Sequence, residues 1–190
     1  MQRMNGKTRR SVRLLAGWLL PAVLALMVAG CGENGDRGSA TSAARNGEAV
    51  KKLVSDLSAG KIKAKSASVS ATELTVEWPD GERTVHALPQ DEFFVSIAPY
   101  IDRTHPCVNH SLTGCRGELA GMPFDIRIED ESGAVLLETT AVTPDNGFID
   151  LWLPRNRTFR VTISRDGRTA VSDISTFDGD PTCITTMRLL

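Results

Sequence analysis

The chain is poor in aromatic residues and lacks an excess of charge of one sign. Aromatic residues make up 5% of its 190 residues, and the formal net charge is −1. Residues 1–30 contain five bases and no acid, so the rest of the chain carries 17 bases against 23 acids. A mildly acidic domain cannot neutralise the phosphates of a bound nucleic acid, which excludes a basic nucleic-acid-binding protein. With 41% hydrophobic residues, the composition fits one globular domain with a tail.

Several enzyme signatures are also missing. No glycine-rich loop leads into a helix, which argues against a nucleotide-phosphate site. No serine lies in a nucleophile-elbow setting, and no Cys-x2-Cys motif accompanies a thioredoxin-like pattern. A cysteine hydrolase using Cys107 or Cys115 stays open, although Cys107 and His110 are too close in sequence to suggest a preorganised dyad. We therefore expect a protein that is not an enzyme, with redox activity of its cysteines left open.

The amino-terminal segment has the organisation of an export signal. Five bases precede an apolar run over residues 14–30 that is interrupted by Pro21. The run could also be a transmembrane anchor, but it ends in Val28-Ala29-Gly30-Cys31, which resembles the lipobox of bacterial lipoproteins. We expect a signal peptide over residues 1–30 and lipidation at Cys31, which places the protein in the cell envelope on the extracytoplasmic face of a bacterial membrane. Residues 31–46 are polar without apolar periodicity and predict a flexible tether.

Residues 47–90 predict a short helix followed by a β-hairpin. Apolar residues fall at i, i+3, i+4 and i+7 between Glu48 and Leu57, and Gly60 follows as a C-cap. We expect this apolar stripe to pack on another apolar surface of the protein, and a homodimer contact is one possibility. Leu74, Val76 and the return strand through His86 flank a Pro-Asp-Gly turn.

Residues 91–190 alternate apolar and polar positions in short runs separated by turns. The predicted strands cover residues 124–128, 135–137, 148–153, 159–163, 169–174 and 183–187. Strand spacing of this kind is typical of a small antiparallel β-sandwich of the immunoglobulin or transthyretin type. The predicted fold is therefore mainly β, with the helix and hairpin in front. No long helix follows a strand, which excludes a parallel Rossmann-type sheet.

Two loops hold the chemistry that the strands do not explain. Residues 104–118 and 177–183 contain Cys107, Cys115 and Cys183. Any two of these could form a structural disulfide in an exported protein, but three is odd, and one thiol would remain. Three thiolates also suit Cu(I), and Cys3His with His110 would suit tetrahedral zinc. Residue types alone leave the disulfide and the metal site open.

Other soft or titratable residues near these loops favour structural roles. His105 precedes a proline, which favours a turn. Met187 follows Cys183 by four residues on a predicted strand, about 13 Å away at the usual rise, and fits the core better. Met122 has no expected ligand role, and Asp178 and Asp180 are expected to set the turn before Cys183.

Long motifs around these cysteines resemble the CueP family of periplasmic copper-binding proteins. Residues 91–100 read DEFFVSIAPY and lead into HPC and HSLTGC, and later stretches read NGFIDLWLP, STFDGD and TCITTM. The resemblance covers roughly residues 70–190. It implies that Cys107, Cys115 and Cys183 bind Cu(I), whereas a ligand role for His110 is inferred from its place in the same motif. The lipobox, the tether and the last residues depart from the usual family pattern.

The resemblance also implies a function and partners. We expect an extracytoplasmic metallochaperone that contributes to copper tolerance and supplies a Cu/Zn superoxide dismutase, with zinc as a less favoured ion. A thiol–disulfide reductase and the membrane, through the lipid anchor, are the other expected partners. Two alternatives use the same cysteines: a thiol–disulfide redox protein and a structural lipoprotein stapled by a disulfide.

Overall fold

The computed structural model describes residues 35–190, of which residues 35–43 are described as backbone alone. The predicted signal peptide and the lipidation site at Cys31 lie outside the described residues. One helix, α1 (Gly35–Ser58), precedes every strand. The strands are β1 (Ser66–Val69), β2 (Glu73–Glu77), β3 (Arg83–Ala87), β4 (Glu92–Ile97), β5 (His110–Ser111), β6 (Pro123–Glu129), β7 (Val135–Val142), β8 (Ile149–Pro154), β9 (Thr158–Arg165), β10 (Arg168–Ser175) and β11 (Cys183–Ile184).

The strands form three sheets, which confirms a mainly β fold built from antiparallel pairs. Their strand orders are β3-β2-β1-β5, β10-β9-β6-β7 and β11-β4-β8. The predicted hairpin pairs Leu74 with His86 and Val76 with Thr84. The predicted last strand is shorter than expected, because β11 ends at Ile184, and its pairing with β4 is parallel.

Strand β4 lies between two apolar layers. Phe93, Val95 and Ile97 face the β-sandwich core that β6, β9 and β10 complete. Phe94 points the other way, into a second core, and its ring centroid is 5.2 Å from that of Trp152. This two-sided burial explains why alternation did not reveal β4: a strand buried on both faces reads as a continuous apolar run.

The second core holds the helix against the first sheet. Val50, Val54 and Leu57 of α1 pack with Leu74 and Val76 of β2. The helical stripe predicted from the sequence is therefore buried within the chain itself. Among the described residues, no helix combines the length and the apolar character needed to cross a bilayer.

The helix begins earlier than its apolar stripe indicates. Its backbone is helical from Gly35, so residues 35–46 of the predicted tether continue α1. Alanines at positions 40, 43 and 44 favour a helix without contributing to the apolar stripe. Periodicity marks only the part of a helix that packs on a core, and it missed the extension.

Candidate metal centre

Four side chains that can ligate a metal ion meet at one end of β4. His105, Cys107, Cys115 and Cys183 each offer one ligand atom, and these atoms all lie within 4.8 Å of one another. His105 and Cys107 lie in the loop after β4, Cys115 follows β5, and Cys183 opens β11. The structure thus gathers the three sequence-predicted cysteines, together with a histidine that the sequence analysis assigned to a turn.

Backbone hydrogen bonds fix the loops that carry the cysteines. The carbonyl of Val108 accepts hydrogen bonds from the N–H groups of Thr182 and Cys183, both at 3.0 Å. Thr182, fully buried, accepts from the His110 N–H at 3.0 Å and donates to the Val69 carbonyl at 2.6 Å. The loop of Cys107 and the strand of Cys183 are therefore joined directly, and both are tied to β1.

Cys115 is held by a tight turn. Its N–H donates to the Ser111 carbonyl at 3.0 Å, and the Ser111 N–H donates to its Sγ at 3.4 Å. The next turn is fixed by Gly117, whose N–H donates to the Asn146 carbonyl at 2.6 Å. This close approach allows no side chain, because a Cβ on Gly117 would lie 2.4 Å from the carbonyl oxygen of Gly147.

The loop of His105 is anchored by a carboxylate. Glu118 Oε2 accepts hydrogen bonds from the N–H groups of Ile101, Asp102 and Arg103 at 2.8, 3.0 and 3.2 Å. The hydroxyl of Thr104 adds a bond to the Thr185 carbonyl at 2.6 Å. Glu118 comes three residues after Cys115, so it links the segment of Cys115 to the loop that carries His105 and Cys107.

The sulfur atoms form no disulfide with one another and are spaced for a shared ion. Cys107, Cys115 and Cys183 are all free, and the Sγ atoms of Cys107 and Cys115 are 3.6 Å apart. Two sulfurs that each lie about 2.3 Å from one metal ion are separated by roughly 3.8–4.0 Å. Small side-chain adjustments would therefore suffice to bind an ion.

The centre is buried on one side and open on the other. Cys183 and Cys115 are 2% and 9% exposed, whereas Cys107 and His105 are half-buried. The Nε2 atom of His105 is buried without a hydrogen-bond partner. An unpartnered ring nitrogen beside three thiols fits a metal ligand better than the turn role that its neighbouring proline suggested.

The three thiols influence one another's ionisation. A hydrogen bond from Cys183 lowers the pKa of Cys115, and burial opposes this. The pKa of Cys183 is raised, first by Cys115 and then by burial, and burial is the main cause that raises the pKa of Cys107. Cys115 is therefore the first thiolate, and the other two thiols need a cation to stabilise their ionised forms.

His110 lies outside the four-atom cluster but next to it. Its side chain is fully buried, and its ring centroid is 4.5 Å from that of Phe148, which packs with Cys115 and Cys183. Its Nε2 lies 3.3 Å from Ser96 Oγ. The structure thus brings the predicted ligand His110 to the edge of the centre, and His105 into it.

The remaining sequence-predicted residues have structural positions. Met187 is 1% exposed in the sandwich core. Asp180 Oδ2 accepts the Phe177 N–H at 2.7 Å, and Asp178 pairs with Arg155 at 3.1 Å, so both acids belong to the turn before β11. Met122 is exposed on the turn before β6.

Comparison with known proteins identifies the family. The family model described as "Periplasmic copper-binding protein CueP" matches residues 48–188, which include all four clustered donors. A crystal structure of S.CueP matches with 38% sequence identity and a TM-score of 0.69, over 74% of this chain and 88% of that chain. The comparison with curated proteins gave no match. The chain therefore belongs to the CueP family, which is described as periplasmic and copper-binding.

Proposed function

We propose that the chain binds Cu(I) through Cys107, Cys115, Cys183 and His105, and acts as a carrier of that ion outside the cytoplasm. The observation that carries the proposal is the convergence of these four donor atoms within 4.8 Å. Thiolates are soft ligands that select Cu(I), imidazole also binds copper, and three thiolates suffice for a trigonal site. Family membership supports copper as the ion.

Zinc is the competing ion for the same donors. Three cysteines and one histidine form a common tetrahedral zinc site. The close packing of the three thiols favours Cu(I), because a trigonal trithiolate needs no fourth ligand. Adding Zn²⁺ to the copper-loaded protein should therefore leave the copper bound, whereas release of copper would assign the site to zinc.

Anaerobic titration tests the copper site. Reduced protein is titrated with Cu(I) against a chromophoric chelator, and we expect the Cys115→Ser variant to lose at least about 100-fold in affinity, since a ligand should cost more than a residue that only supports one. His105→Ala should weaken binding by a smaller factor. Met122→Leu, which removes an exposed soft sulfur outside the centre, is the matched control and should bind as the unmodified chain does. Unchanged affinity in Cys115→Ser would refute the shared site.

A redox role of the same cysteines is the second candidate. The 3.6 Å contact between the sulfurs of Cys107 and Cys115 favours it. Oxidation would join the two sulfurs, with two electrons passing to an oxidant and two protons released, and it would remove two copper ligands. A thiol–disulfide reductase would return two electrons and two protons from its own dithiol. Oxidised protein should therefore bind no Cu(I) until such a reductase restores the thiols.

The partners follow from the proposed role as a carrier. A site with one open side can pass its ion to an acceptor, and a Cu/Zn superoxide dismutase is the acceptor that we propose. Lipidation at Cys31 would keep this transfer near the membrane. Mixing the copper-loaded chain with copper-free dismutase should restore dismutase activity, and a Cys107→Ser chain should not.

A further inference from the structure

A row of polar groups, half-buried at Ser58 and Asp150 and fully buried at Ser96 and His110, leads from helix α1 to the edge of the sulfur centre. In the three-stranded sheet, Ser96 of β4 is paired with Asp150 of β8 on one side and with Cys183 of β11 on the other. Directly paired residues share a face of a sheet. Ser96 and Asp150 therefore lie on the same face as a residue of the metal centre, although neither contributes a metal ligand.

The hydrogen-bond directions along this row are determined by its chemistry. Ser96 Oγ lies 2.5 Å from Asp150 Oδ1, and the Ser58 hydroxyl donates to Asp150 Oδ2 at 2.5 Å. An ionised carboxylate only accepts hydrogen bonds, so the single hydroxyl hydrogen of Ser96 is donated to Asp150. Ser96 Oγ can then only accept from His110 Nε2, 3.3 Å away. This requires the proton of a neutral imidazole to be on Nε2.

The other ring nitrogen, Nδ1, is then unprotonated, and its lone pair lies in a buried position. His110 is fully buried, and Nδ1 has no hydrogen-bond partner among the described residues. The ring packs on Phe148, which lies in one apolar cluster with Cys115 and Cys183. Groups behind a metal site commonly set the tautomer and the orientation of an imidazole, and losing them typically costs about 10–100-fold in metal affinity.

We propose that Asp150 and Ser96 are positioning residues that hold His110 in the Nε2–H tautomer, with its Nδ1 lone pair beside the sulfur centre. The expected effect on copper binding rests on the proposed function, whereas the tautomer of His110 is independent of it. His110 thereby acts as a fixed neighbour of Cys115, which explains a buried histidine that the four-atom cluster leaves out. The carboxylate also connects the end of α1 to the centre through Ser58.

Nitrogen NMR of the metal-free protein tests the proposal, at a pH where the His110 ring is neutral. We expect the unmodified chain to show His110 protonated on Nε2. Asp150→Asn and Ser96→Ala should shift His110 toward a mixture of tautomers, because the first removes the charged group that makes Ser96 an acceptor and the second removes the acceptor itself. Cu(I) affinity should fall about 10-fold in both variants.

Ser58→Ala is the matched control. It removes the other hydroxyl on the same carboxylate but leaves Ser96 bound to Oδ1, so the tautomer should not change. The proposal is overturned if the unmodified chain carries the proton on Nδ1, or if Ser96→Ala keeps a pure Nε2–H ring. Should Asp150→Asn fail to fold, Ser96→Ala alone decides. An absence of copper binding in the unmodified chain would refute the proposed function and leave the tautomer result intact.

Discussion

Gly117 shows how closely two backbone segments approach beside Cys115. A Cβ at this position would meet the carbonyl oxygen of Gly147 at 2.4 Å, and a Cβ on Gly147 would meet the Gly117 carbonyl oxygen at 2.7 Å. Real Cβ atoms do not come this near to backbone oxygen, so a side chain would push the two turns apart. Because Gly117 follows Cys115 by two residues, that displacement would move a sulfur of the centre.

We expect Gly117→Ala to lower both the free energy of unfolding and the Cu(I) affinity. Overpacking of this kind typically costs about 1–3 kcal/mol, which denaturant unfolding measures. Gly47→Ala is the control, because it lies within α1 with ordinary contacts and should be neutral or stabilising. Equal effects of the two substitutions would contradict the close approach.

At the scale of elements, the loop of residues 101–107 depends on one carboxylate for its shape. Partial burial acts to raise the pKa of Glu118, but the N–H groups of Ile101, Arg103 and Asp102 outweigh it and hold the pKa below its ordinary value. A carboxyl whose folded pKa is lowered stabilises the fold above its unfolded pKa, near 4.5. That contribution is lost as the pH falls through the folded pKa.

We expect Glu118→Gln to destabilise the protein at neutral pH by about 1–2 kcal/mol, since the three N–H groups then donate to a neutral amide oxygen in place of a carboxylate at a partly solvated site. Unfolding free energies measured from pH 7 to pH 3 should show the unmodified chain losing its advantage below about pH 4.5. A difference that persists unchanged at pH 3 would show that the charge of Glu118 is not the cause.

Sequence patterns predicted the elements that have one buried and one solvent-exposed face. Strands β2, β6, β9 and β10 alternate because one side of each strand is buried, and the structure has them at the predicted places. Strand β7 has no buried residue and runs to Val142, beyond its predicted end at Leu137, because its length is set by pairing with β6. Strand β4 was missed because both of its faces are buried. His105 was assigned to a turn because Pro106 follows it, and only the fold shows that its ring reaches the thiols. Contacts between distant segments decide such cases, and local sequence does not contain them.

At the scale of the whole molecule, β4 joins the two apolar cores and supports the polar row behind the centre. Phe94 is fully buried, and its ring centroid is 5.2 Å from that of Trp152 and 6.1 Å from that of His110. It therefore supports both the packing of α1 and the position of His110. No other aromatic ring among the described residues contacts both Trp152 and His110.

We expect Phe94→Ala to reduce the free energy of unfolding by about 3–5 kcal/mol, as for other large core truncations. Val85→Ala on the edge strand β3, where the side chain is 54% exposed, should change it by less than about 0.5 kcal/mol. Thermal or denaturant unfolding provides both values. A loss for Phe94→Ala no greater than that for Val85→Ala would show that β4 does not join the cores.

The parallel pairing of β11 with β4 also has a consequence for folding. Cys107 and Cys115 are close in sequence, whereas strands β6 to β10 lie between Cys115 and Cys183. Closing so long a loop costs conformational entropy, so we expect the third sulfur to join the other two only when the intervening strands have folded. A partly folded chain thus offers two neighbouring thiols but no complete binding centre.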